Sequence, residues 1–252
     1  MKTQNIFAKY LAIYKFHSAY GSIEGIKRVW SIFKEIDLFD ITHRVNTRTI
    51  KVQSLEKISY MPYWPAFTSV ALEMIKFSHN YYISAIRYSD LQRKTVFVDF
   101  GSGLAKVPII ASETKKFNAC GGIEIDPELS ATGAKNLVTM QKRLGAANLF
   151  SLTGNVESPK DISKLINLIE ANGVNTKTST IFIFNKNSYG PETLKNSLKL
   201  IENYFTSIVY LYQNPIHSYV LEDLNYRQFG SDSKKSTINK NYKYNLYFKH
   251  EY

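Results

Sequence analysis

The chain has 252 residues, 44% hydrophobic and 14% aromatic, with 32 Lys/Arg against 21 Asp/Glu and a formal charge of +11. Apolar content at that level excludes a disordered chain, because enough surface can be buried to offset chain entropy, and no apolar run reaches membrane-spanning length. A single cysteine, Cys120, excludes an internal disulfide and a multi-thiolate metal site, and no two histidines stand at metal-ligand spacing, so a packed cytoplasmic protein without a metal is expected.

The positive charge is unevenly spread. Residues 1–93 carry 13 Lys/Arg against 7 Asp/Glu, residues 94–223 carry 13 against 12, and residues 224–252 carry 6 against 2. The middle is close to neutral and the two flanks are basic, which allows an anionic partner; a lysine-rich compositional bias would give the same excess.

Residues 1 to about 36 read as helical, with Tyr10, Tyr14, Ile23, Ile26, Trp30 and Phe33 among the apolar positions recurring at three and four, and a break at Gly21-Ser22. The stretch from Asp37 to Lys57 is less regular, and Ile50 and Val52 alternate as in a short strand or hairpin. In Tyr60-Met61-Pro62-Tyr63-Trp64-Pro65 two prolines bracket an aromatic pair and set an extended turn before a helix over 68–82.

Val96-Phe97-Val98-Asp99 reads as a strand buried on both faces and ending at an acid. Gly101-Ser102-Gly103 then supplies a turn lacking Cβ atoms at two positions, and Val107 to Ala111 resumes as an apolar helix. A second strand, Cys120 to Ile125, carries Glu124 about twenty residues beyond the turn, where a βαβ unit places a carboxylate for ribose hydroxyls. The spacing points to nucleoside binding. No third glycine follows the turn, since Ala105 and Lys106 stand there.

The run Asp99-Phe100-Gly101-Ser102-Gly103 with Gly122-Ile123-Glu124 resembles the first two motifs of class I S-adenosylmethionine (SAM) dependent methyltransferases. An acid before the turn suits the sulfonium and ammonium of SAM and would repel a pyrophosphate. The resemblance implies an α/β, Rossmann-like fold: a seven-stranded, mostly parallel sheet with helices on both faces. It covers roughly 60–252, with residues 1–59 as an N-terminal helical or mixed extension. It implies SAM as cofactor, held by Asp99, Gly101, Ser102, Gly103 and Glu124, with the backbone at Ile125 flanking the adenine. Tyr60, Tyr63 and Trp64 occupy the position of a segment that closes over the methyl donor in many of these enzymes.

Further along, Asp126-Pro127-Glu128 caps a helix to about Leu144, and Leu149 to Leu152 is the third strand. It ends at Thr153-Gly154-Asn155, resembling a Gly-Asp-Ala motif in which the acid accepts from the adenine amino group; Asn155 replaces that acid and its amide oxygen can still accept. A helix over 161–172 precedes the fourth strand, Ser179 to Phe184. That strand runs into Asn185-Lys186-Asn187-Ser188-Tyr189, the position at which the family places residues against the methyl acceptor. Adenine-methylating members carry two prolines where Lys186 and Asn187 stand, so a DNA adenine substrate is disfavoured, and Asn185 and Tyr189 are the candidates for acceptor contacts. Pro191 begins a helix to about Tyr204, and Ile208 to Tyr212 is the fifth strand, followed by His217 at its C-terminal end as a candidate base. Tyr219 to Tyr226 reads as a helix, Gly230 to Asn241 with Lys234-Lys235 as a connecting loop, and Tyr244 to Tyr252 as a final strand. The fourth-strand end also resembles class I protein lysine methyltransferases. The expected activity is methyl transfer from SAM to an unidentified acceptor, with a protein lysine, an RNA, a small molecule and a catalytically silent SAM-binding module as the alternatives.

Overall fold

The strand of six residues Thr95–Phe100 (β1) is buried along its whole length, as its β-branched and aromatic sequence requires. In the computed structural model, which describes residues 11, 14, 22–47, 65–85, 93–145, 148–186, 189–229, 234–236 and 242–250, β1 is the centre of a single sheet. The other strands are β2 (Ala119–Glu124), β3 (Leu149–Thr153), β4 (Thr180–Asn185), β5 (Ser207–Gln213), β6 (Arg227–Gln228), β7 (Lys234–Lys235) and β8 (Lys243–His250). Seven of them lie in the order β3-β2-β1-β4-β5-β8-β6, and β7 pairs with β8 off that path. β1 to β5 pair in parallel and β8 runs antiparallel to β5. The strand order reverses between β1 and β4, and in such sheets ligands bind in the crevice beyond the strand C-termini at that reversal.

Helices cover both faces. On one, Val96, Val98, Ile181, Ile183 and Ile208 meet α6 (Pro159–Ala171), α7 (Pro191–Glu202) and α8 (Ser218–Asp223) through Ile162, Leu165, Leu198 and Leu221. On the other, Phe97, Phe182, Phe184, Val209 and Leu211 meet α3 (Thr68–Ala85), α4 (Lys106–Glu113) and α5 (Pro127–Leu144) through Val70, Met74, Ile109 and Leu137. Each of α5, α6 and α7 opens on a proline, whose missing N–H costs nothing in the first turn.

The N-terminal layer consists of α1 (Ser22–Ile32), a π-helical turn over Phe33–Asp37 and α2 (Leu38–His43). It is joined to the core by polar contacts. The Glu35 Oε2 accepts from the Ser69 N–H at 2.8 Å, the Lys106 Nζ donates to the Glu35 carbonyl at 2.5 Å, and His43 Nε2 lies 2.8 Å from Glu113 Oε1.

Three expectations are corrected. Asp37 to His43 is helical, because Ile36 and Phe39 are buried one turn apart on the face that meets the core, whereas Ile50 and Val52 lie outside the described residues. The helix after β5 stops at Asp223: Asn225 adopts φ 62°, and the Tyr226 N–H turns back to the Leu221 carbonyl. Lys234-Lys235 is a strand, pairing with Lys243 and Tyr244 of β8 and closed by a Ser236 N–H to Tyr242 carbonyl bond.

Candidate functional site

The turn after β1 is held by the backbone of β2. The N–H groups of Gly101 and Ser102 both donate to the Ile123 carbonyl, at 2.9 and 3.1 Å, and Gly101 and Gly103 have φ values of 78° and 51°. These are left-handed conformations in which a Cβ is costly. Ala105, at the place of the absent third glycine, adopts φ 61° all the same. A second close approach fixes Gly122, for a Cβ there would stand 2.3 Å from the Ser102 Cβ. The pairing of Asp99 with Gly122 in the β1–β2 register brings these segments together.

Glu124 completes the turn. Its Oε2 accepts from the Gly103 N–H at 2.7 Å and its Oε1 from the Asp126 N–H at 2.9 Å. The turn donor that a phosphate would need is therefore occupied by a carboxylate. Asp126 caps α5, its Oδ1 accepting from the N–H groups of Glu128 and Leu129 at 2.8 and 3.0 Å. Ile125 between these buried acids is 38% exposed, an apolar surface at the rim of the sheet.

Asp99 differs from Glu124 in kind. It is 5% exposed, and among the described residues no hydrogen bond reaches its carboxylate. Burial, then the charge of Glu124, push its pKa well above the usual carboxylate range, and Lys186 opposes them. Burial likewise raises Glu124, against the backbone donors of Asp126, Gly103 and Ile125 that favour its anion. A buried anionic pair with one member lacking hydrogen bonds is an arrangement suited to a cation with N–H donors.

One lysine acts on Asp99, and a second lies behind it. Lys186 directly follows β4, and its Nζ donates to the Pro65 carbonyl at 3.3 Å; burial lowers its pKa to about 8 against the pull of Asp99. Lys106, the first residue of α4, is 1% exposed, with its Nζ 4.9 Å from the Phe39 ring centroid. Burial lowers it to about 8 as well, opposed by Asp40, Glu35 and Asp37 of the N-terminal layer.

Asp99, Gly101, Ser102, Gly103, Glu124 and Ile125 thus converge at the ends of β1 and β2. Asn155, at the end of β3, is engaged locally: its Oδ1 accepts from the Glu157 N–H at 2.9 Å and its own N–H donates to Asp161 at 3.2 Å. Asn185 is the last residue of β4 and 1% exposed, beyond Phe184, which pairs with Asp99. Tyr189 is half-buried against the α6–α8 face of the sheet. His217 precedes α8 on that same side, its ring centroid 6.1 Å from that of Tyr219, and is not brought to Asp99. Tyr60, Tyr63 and Trp64 lie outside the described residues. Sequence reasoning treated Lys186 only as a departure from a motif and did not single out Lys106; a cation at the first position of an otherwise apolar helix was the available signal for the second.

The sequence profile of the family described as histone methylation protein DOT1 matches residues 68–203, more than half of the chain. The chain belongs to the DOT1 family. It is accordingly a SAM-dependent methyltransferase of the class I type. DOT1 membership spans α3 to the end of α7, so it takes in the turn, Glu124 and the β4 end together. No curated protein matches the chain. Among solved structures, similarity extends to a precorrin-6y C5,15-methyltransferase from Geobacter metallireducens (17% identity, TM-score 0.47, 86% of this chain and 98% of that one). It extends also to a magnesium protoporphyrin IX methyltransferase from Synechocystis with bound S-adenosylhomocysteine (10%, 0.47, 89% and 99%). A third is the m1A22 tRNA methyltransferase of B. subtilis (12%, 0.46, 71% and 65%). The chain spans about two-thirds of that tRNA enzyme, and at these scores nothing about the acceptor of this DOT1 family member follows from any of the three. The residues present fit SAM, since a cationic cofactor answers the buried Asp99 carboxylate and the exposed Ile125 offers a flat apolar contact.

Proposed function

We propose that this DOT1 family member methylates the side-chain amine of a protein lysine, with the catalytic domain over 60–252 and residues 1–59 as an added layer, in the cytoplasm. The observation that carries this reading is the strand order. Reversal between β1 and β4 sets Asn185 one residue past the level of Asp99, so an acceptor at the β4 end lies beside the cofactor crevice. The family's description as a histone methylation protein supports a protein acceptor.

SAM supplies a methyl group on a sulfonium, open to in-line displacement. The chain's own part is binding, orientation and exclusion of water. In this reading Asp99 and Glu124 supply anionic acceptors for the cofactor, the Gly101-Ser102-Gly103 turn lets backbone approach it, and Ile125 covers the adenine. The local cap leaves Asn155 one lone pair on its amide oxygen for the adenine amine. The resemblance assigns Tyr60 to the methyl-donor end of the cofactor. Asn185 accepts from the acceptor amine, and Tyr189 lines its approach. The acceptor lysine must reach the site without its proton, because only the neutral amine has a lone pair to give.

Transfer of tritium from labelled SAM into lysate fractions separated into protein, RNA and small molecules tests the acceptor class. Label in protein that co-migrates with methyl-lysine after acid hydrolysis is expected, and Asn185→Ala lowers it at least tenfold, in the range for losing one positioned group. Label confined to RNA or to small molecules overturns the lysine reading. Absence of transfer to every fraction, with SAM binding intact, marks a silent module.

A further inference from the structure

Asp99 and Lys186 are opposite charges on the same side of the sheet. Phe97 and Phe184 face α3, α4 and α5, and Asp99 is two residues on from Phe97 on β1, as Lys186 is two on from Phe184 on β4. The Lys186 Nζ bond to the Pro65 carbonyl, at the entry to α3, puts its ammonium on that side. The Lys186 charge favours the Asp99 anion, and the Asp99 charge favours the Lys186 cation.

We propose that Lys186 is a resident counter-ion for Asp99 which must either be displaced by the cationic end of the cofactor or lose its proton to solvent before the cofactor binds. The ammonium of Lys186 and the positive charges of SAM are alternatives for one carboxylate. Two cations beside a buried anion repel each other, and the interior screens that repulsion poorly. Binding then proceeds through the neutral lysine or through the lysine swung aside. After methyl transfer the sulfur is neutral, so Lys186 returns to a carboxylate that has lost part of its counter-charge and thereby helps product leave.

Other charges face this pair. Glu124 on β2 acts on Asp99, and Lys106 on α4 acts on Lys186, with Glu35, Asp37 and Asp40 behind it. On α3, Glu73 is turned to the Ser236 hydroxyl at 2.5 Å and to the Tyr244 hydroxyl at 3.5 Å. Removing the Lys186 charge also alters the field at Asp99 and Lys106, whereas Lys186→Arg keeps that charge, so the Arg variant separates the titration of the lysine from its field.

The test is calorimetric binding of SAM, and separately of S-adenosylhomocysteine, to the full chain at pH 7 and pH 9. With the Lys186 pKa at about 8, roughly one molecule in ten has the neutral lysine at pH 7, so Lys186→Met binds SAM about tenfold tighter than the native chain there. At pH 9 the two converge. Lys186→Arg, which keeps its charge, stays as weak relative to Lys186→Met at pH 9 as at pH 7. The cofactor's own amine titrates alike for all three proteins and cancels in these ratios. Affinity of Lys186→Met equal to or below that of the native chain at pH 7 overturns the proposal and gives the ammonium a different role, such as holding the cofactor carboxylate. An Arg variant that gains affinity with pH as much as the native chain overturns it too, and that comparison stands even if Lys186→Met does not fold.

Discussion

Asp99 is buried at a cost to the free protein. Its carboxyl is buried, is pushed up in pKa first by burial and then by Glu124, and accepts no hydrogen bond among the described residues. Because the folded-state value lies above that of the unfolded chain, the carboxyl's contribution to stability is complete below about pH 4 and is lost as pH rises through the folded value. Asparagine at this position carries no charge to desolvate. Asp99→Asn therefore raises the stability of the ligand-free chain at neutral pH by about 1–2 kcal/mol, changes it little at pH 4, and removes the thermal shift caused by SAM. Thermal unfolding at the two pH values, with and without SAM, checks all three parts; a less stable variant at pH 7 contradicts the account. The place of Asp99, on a strand that runs into a glycine turn, was legible in the sequence, since that is a local pattern. Its lack of hydrogen bonds was not, because that depends on where Lys186, eighty-seven residues later, comes to lie.

At the level of elements, β2 does more than carry Glu124. Its two glycines make room for neighbours: a Cβ on Gly121 would lie 2.3 Å from the Phe150 ring, and one on Gly122 the same distance from the Ser102 Cβ. Gly122→Ala must push the turn away from the sheet and with it the Gly103 N–H from Glu124. Cofactor affinity falls at least tenfold and stability drops by about 1–3 kcal/mol, as for an overpacked core position, measured by calorimetry and denaturant titration. A variant with native affinity would show that the turn can shift without consequence. The N-terminal layer depends in a similar way on α4. Lys106 sits almost wholly buried, its Nζ donating to the Glu35 carbonyl and lying over the Phe39 ring, and its removal takes away a positive charge felt by Asp40, Glu35 and Asp37. Lys106→Met costs about 3 kcal/mol, with hydrogen exchange speeding first over 33–43. Uniform exchange across the chain would count against a local role for that lysine. Helix periodicity foretold α1, but the π-helical turn and the docking of Glu35 on Ser69 are decided by packing, which periodicity does not encode.

For the molecule as a whole, the charge distribution sets what it can approach. Residues 1–93 and 224–252 carry an excess of positive charge, and the middle of the chain is nearly balanced. Basic residues of the first segment and of the middle meet in a hollow of about 500 Å³ lined by His43, Arg44, Lys142 and Arg143 among others, at the C-terminal end of α5. Its lining residues on this helix, Thr139, Lys142 and Arg143, lie roughly 20–25 Å along it from Asp126, away from the ends of β1 and β2. Retention on heparin at low ionic strength, lost steeply as salt rises, is the expected outcome for an anionic partner, and Arg44→Glu with Arg143→Glu shifts elution to lower salt. Salt-insensitive retention, or none, assigns the high net charge to composition alone. The sequence by itself determined the strand, the glycine turn, the acid on the next strand and the order of helices between them. Those features repeat or are spaced within some thirty residues, where local sterics and chain connectivity act. Only the tertiary structure decided that Lys186 stands beside Asp99, that Lys106 joins the core to the N-terminal layer, and that Gly122 must yield to Ser102. Such relations arise from parallel register between strands far apart in the chain and from the loss of solvent around charges, and neither is a property of any local stretch of residues.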